Sequence, residues 1–165
     1  MKAFQLRAAR SVTGIGVREI ALYLGVSGTI VSRWDNMFAF KVIKSKITNP
    51  DALIFFFKQH NISFPSDYSI SYTPNNIEIE EIKNASYLTR FQLRASRSIL
   101  KLSQRELAEL TNTNSNIINY LETLDNKEFI NNTAKDIDTT IYKSYFEEKG
   151  FLFPDHFTVV LNYNI

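Results

Sequence analysis

The chain has 165 residues, of which 44% are hydrophobic and 22% charged, with a net charge of +2. That composition is globular and not disordered, and the length suits one ordinary domain or two small ones. Cysteine is absent, which excludes disulfides and thiolate metal sites.

In chain order, the opening MKAFQLRAARS has neither an apolar core nor a cleavage site, so no secretory signal is expected. Residues 4–11, FQLRAARS, read as a first helix, with Phe4, Leu6, Ala9 and Val12 on a 3.6-residue face. Gly14 and Gly16 close it, and VREIALYL (17–24) forms a second helix. GVS (25–27) is a tight turn in which Gly25 takes a left-handed position, and GTIVSRWDN (28–36) is a third helix. A fourth helix, capped by Asn49, Pro50 and Asp51, carries the apolar run ALIFFF (52–57), far shorter than the ~20 residues of a membrane span. ISF, a PSD turn and YSISY (62–72) alternate as a β-hairpin, and YTPNNIEIEEIKN (72–84) reads as a linker.

The same series then repeats. FQLRASRS (91–98) differs from FQLRAARS only where Ser96 replaces Ala9, and segments 4–37 and 91–124 align without a gap at an offset of 87. Arg18/Arg105, Glu19/Glu106, Ala21/Ala108 and Ile30/Ile117 are identical across it. After a two-residue insertion, 58–72 matches 147–161. A tandem duplication is the economical explanation. In the second copy Ser103 and Glu106 form a capping box, Asn112 takes the left-handed turn position, and Ile141, Tyr142, Tyr145 and Phe146 supply the fourth helix's apolar face.

Charge follows the repeat. Residues 1–48 hold eight Lys or Arg against Glu19 and Asp35, a local +6 that leaves −4 for the rest. Residues 86–106 are basic again, with Arg90, Arg94, Arg97, Lys101 and Arg105 against Glu106. Two basic zones with acidic connections suit either a polyanionic partner or solvated helix faces.

In both copies a second and third helix are joined by a short turn. Small Ala21 and Ala108 sit at their crossing, and Ile20, Val31 and Trp34 (or Leu107, Ile118 and Leu121) face inward. VREIALYLGVSGTIVSRWDN and SQRELAELTNTNSNIINYLET resemble the helix-turn-helix of phage repressor/Cro-like (XRE-type) transcriptional regulators. That resemblance implies a mainly α fold: two tandem lambda-repressor-like helical domains, each followed by a short β-hairpin, the hairpins able to join into a small shared sheet. The boundaries expected are 1–72 for the first unit, 73–85 for the linker and 86–165 for the second.

By the same resemblance, base edges of double-stranded DNA are read by Ser27, Gly28, Thr29, Ser32 and Arg33 in the first copy. In the second, the readers are Asn114, Ser115, Asn116, Asn119 and Tyr120. Arg suits guanine and Asn suits adenine. Arg10 is expected to pair with Asp35 and Arg97 with Glu122, tying the first helix to the third. Arg7, Arg94, Gln104, Lys41, Lys44 and Lys46 are the candidate phosphate contacts. Val17 replaces the family's usual glutamine in the first copy, and the second lacks both the turn glycine and a basic residue on its third helix.

His60 and His156 stand apart from any metal-ligand spacing, Gly14-Ile15-Gly16 is not a phosphate loop, and no serine sits in a nucleophile-elbow context. The expectation is therefore a cytoplasmic, bacterial, non-enzymatic regulator without a cofactor, bound to DNA and not to membrane. Self-association or RNA polymerase are its other candidate partners. The alternative is a protein-interaction module on the same fold, such as an antitoxin, an antirepressor or a polymerase-contacting factor.

Overall fold

The computed structural model describes residues 1–44, 51–75, 87–131 and 138–162. Lys46, the Asn49-Pro50 cap and most of the linker lie outside them. The described part is mainly α with a small antiparallel sheet.

Copy one runs α1 (Ala3–Thr13), α2 (Val17–Leu24), α3 (Gly28–Asn36), α4 (Ala52–Lys58), β1 (Ile62–Ser63) and β2 (Ser69–Tyr72). Copy two follows with α5 (Arg90–Ile99), α6 (Gln104–Leu110), α7 (Ser115–Thr123), α8 (Thr140–Glu148), β3 (Phe151–Leu152) and β4 (Thr158–Leu161). The stop signals act as the sequence indicates. Gly14 ends α1 at φ 74°, a left-handed backbone that glycine adopts without a Cβ clash, and its N–H bonds Arg10 O. Gly16 is extended and serves instead as the N-cap of α2.

The two hairpins form one four-stranded sheet in the order β1-β2-β4-β3. Its central pairing has a pseudo-two-fold register: Ile70 faces Val159, its own repeat equivalent, while Ser69↔Val160 is mirrored by Ser71↔Thr158. Flanking bonds obey the same symmetry, with Tyr72 N–H to Phe157 O at 2.9 Å and Leu161 N–H to Tyr68 O at 2.8 Å. The bridge Lys2↔Val42 likewise has its counterpart in Thr89↔Phe129.

The octet helices α1 and α5 pack against each other, α1 lies on β2, and α5 lies on β4. This explains a departure from the expected one-sided amphipathic helix. Every residue of α1 from Ala3 to Ala9 is buried, because one face meets its own copy and another meets α5. The core is a single cluster drawn from both copies, from Phe4, Trp34 and Phe57 to Phe91, Tyr142 and Phe151. Across the boundary, Tyr72 stacks on Phe91 with ring centroids 5.7 Å apart.

Candidate nucleic-acid interface

The α2–α3 and α6–α7 pairs are shaped by their turns. Gly25 lies at φ 65° and Asn112 at φ 51°, so both turns use the left-handed position, one with glycine and one with its best substitute. Ser103 Oγ accepts from Glu106 N–H, and the Glu106 carboxylate accepts from Ser103 N–H, completing the expected capping box. Those bonds hold the Glu106 carboxyl below its usual range. Asn114 caps α7 by accepting the Asn116 N–H at 2.8 Å. Its side-chain oxygen is thus occupied, and its NH2 is the group left to donate outward.

Inside each pair Ile20, Ala21, Val31 and Trp34, or Leu107, Ala108, Ile118 and Leu121, are buried. The opposite faces stay in solvent. Ser27, Thr29 and Arg33 are exposed, with Gly28 and Ser32 half-buried between them. In copy two Asn114, Asn116, Asn119 and Tyr120 are exposed and Ser115 is half-buried. All ten residues named as base readers therefore fall on the third helix or its N-cap, at the solvent side or its margin.

The expected ion pairs form. Arg10 Nη1 lies 2.6 Å from Asp35 Oδ2, and Arg97 donates to both oxygens of Glu122 at 2.5 and 2.7 Å. Each arginine also bonds an equivalent backbone oxygen, Arg10 to Ile15 O and Arg97 to Leu102 O. The pairs are unequal. Glu122 is 4% exposed, both its oxygens are bonded, and Gln104 Nε2 adds a third donor at 3.0 Å. Asp35 is 22% exposed, and its buried second oxygen has no hydrogen-bond partner.

The phosphate role expected for Arg7 is corrected. Arg7 is 9% exposed, and its guanidinium donates to Asp35 O, Met37 O and, across the copy boundary, Ile99 O at 3.1 Å. Those carbonyls lie at the C-terminal ends of α3 and α5, where a cation supplies donors to oxygens without intrahelical partners. Burial lowers the Arg7 pKa, opposed in part by Asp35. Arg94, also named as a phosphate contact, faces Glu122: its Nε lies 4.0 Å from Glu122 Oε2, and Nη1 donates to Glu122 O. Its Nε also donates to Ser11 Oγ of the other copy. Gln104, turned toward Glu122, is drawn into the same brace. Lys41 and Lys44 remain exposed as expected.

Three structural residues escaped the sequence reading. Arg90 takes the part that Arg7 plays in the other half, donating to Glu122 O, to Asn126 Oδ1 and, across the boundary, to Val12 O. Burial first, then neighbouring Arg94, lowers it to about 10, so it remains a cation at neutral pH. Its repeat equivalent is Ala3, so no repeat signal marked it. Gln5 and Gln92 did carry a signal, being identical octet positions. Gln5 Nε2 donates to Ser66 O and Ser69 O, and Gln92 Nε2 to Asp155 O and Thr158 O. Each amide oxygen accepts a backbone N–H at the start of its helix, from Lys2 and Thr89.

The arrangement thus presents two non-identical polar helix faces on a braced frame with pseudo-two-fold symmetry. No protein-family model matches the chain, and no curated protein or solved structure is similar to it at a significant level.

Proposed function

We propose that the protein is a sequence-specific, double-stranded DNA-binding transcriptional regulator that uses α3 and α7 as two non-identical readers, one chain doing the work of a dimer. The observation that carries this reading is the pseudo-two-fold register of β2 with β4, which supports a symmetric relation between the halves that bear α3 and α7. Two-fold readers of this kind enter successive major grooves about one DNA turn apart, ~34 Å. Thr29, Ser32 and Arg33 bring hydroxyls and a guanidinium to base edges, whereas Asn116, Asn119 and Tyr120 bring amides and a phenol. The exposed Lys41 and Lys44 supply backbone contacts to copy one.

The test is selection of bound sequences from a random DNA pool with the intact chain. Two dissimilar half-sites centred about 10 base pairs apart are expected. Failure to enrich any sequence, or enrichment of a perfect palindrome by a single chain, would overturn the reading. Arg33→Ala and Asn116→Ala should each weaken the selected site by ~1–3 kcal/mol.

The absence of any cationic side chain from α7 favours a second reading, in which copy two meets a protein and only copy one reads DNA. Loss of DNA binding on Arg33→Ala but not on Asn116→Ala would select it.

A further inference from the structure

Beside the C-terminal end of α3 lies an open cavity of about 740 Å³ between the two copies. Met37, Phe38 and Ala39 line it from copy one, and Ile99 and Leu100 from copy two. Phe38 is 90% exposed, so its ring is an unburied apolar wall. Arg33, Lys41 and Lys101 stand on the lining, and no carboxylate does. Lys101 Nζ already donates to Asn36 O. Arg33 and Lys41 form no ion pair among the described residues.

We propose that this cavity is a binding site for one amphipathic anion, a carboxylate with an apolar tail, per chain. An apolar cavity of this size with a few convergent polar groups is the usual form of a small-molecule site. Its charge selects the ligand class: the tail lies along Phe38, Ala39 and Leu100, and the carboxylate meets Arg33 and Lys41. A second cavity, of about 600 Å³ on the pseudo-two-fold boundary, fits such a ligand less well, because Asp35 and Glu106 line it beside the arginines.

Copy two lacks the lining chemistry at the equivalent positions, which sets the expected stoichiometry. At the positions equivalent to Arg33, Phe38, Ala39 and Lys41 it carries Tyr120, Asp125, Asn126 and Glu128. Two of these are acidic, and Asn126 is bonded to Arg90 and Val12 O.

Isothermal titration of the DNA-free full chain with decanoate, and with decanol as the uncharged control, tests the proposal. One decanoate per chain is expected, with decanol binding at least about 10-fold more weakly. Phe38→Asp and Lys41→Glu place copy two's residues into copy one at exposed positions. Each should weaken decanoate about 10-fold or more without moving the thermal melt. Arg33→Gln, also exposed, provides a third variant with the same expectation should either of the others fail to fold. No saturable binding, two ligands per chain, equal affinity for decanol, or variants that bind like the parent would each overturn the site.

Discussion

Arg7 and Arg10 stand one turn apart on the same helix, and their surroundings assign them different work. Arg10 reaches a carboxylate, Asp35, within its own copy; Arg7 reaches three carbonyls, one of them in the other copy. Removing one partner from a buried ion pair leaves an uncompensated charge and costs more than the pair itself contributes. Glu122→Gln should therefore destabilise the chain by about 3 kcal/mol, since Arg97, Arg94 and Gln104 all face that carboxylate. Asp35→Asn should cost only about 1 kcal/mol, because its pair is partly solvated. Denaturant melts of the two variants check the order, and equal losses would contradict it.

Among the elements, the octet helices do most to fix the geometry. Gln5 fastens α1 to the turn of its own hairpin and Gln92 repeats this for α5 with equivalent atoms. Truncating either removes two hydrogen bonds to its hairpin and the acceptor of a helix-start N–H, so Gln5→Ala and Gln92→Ala should each cost ~1–3 kcal/mol. Because the hairpins carry the central sheet pairing, hydrogen exchange at Ile70 and Val159 should quicken in both variants. Unchanged protection there would separate the glutamines from the sheet. Arg7 acts at the same scale. Arg7→Met should lower stability while leaving the salt dependence of the proposed DNA binding unaltered, whereas Lys41→Gln should reduce that salt slope by about 1. A reduced slope for Arg7→Met would restore it as a phosphate contact.

For the molecule as a whole, duplication makes a two-fold architecture available within one chain, and divergence removes its exact symmetry. The two halves share one core and one sheet, so neither repeat buries its octet helix fully without the other. The exposed faces of the third helices differ in chemistry, Arg33 against Tyr120 at equivalent positions, and the cavity-lining Phe38, Ala39 and Lys41 have Asp125, Asn126 and Glu128 as their counterparts. Both proposals, an asymmetric DNA target and a single ligand per chain, rest on that divergence. Footprints on the selected DNA should accordingly be unequal in its two halves, and inverting one half-site should weaken binding; indifference to inversion would mean that the two readers act alike.

The sequence alone determined the local features. The third helices span 28–36 and 115–123, the segments that the local sequence pattern marks, because helix periodicity is a signal carried over a few turns of chain. The ion pairs Arg10–Asp35 and Arg97–Glu122 were legible from the resemblance, with an arginine and an acid kept at equivalent positions in both copies. What the octet packs against was not legible. A helix buried on two sides and an amphipathic helix can share one short pattern, and only the partner surface distinguishes them. Tertiary structure decided that Arg7 turns inward to Ile99 O, that Arg90 answers it at Val12 O, and that β2 pairs with β4 about Ile70 and Val159. These contacts join residues 78 to 92 positions apart, where chain periodicity carries no information and only packing selects the partner.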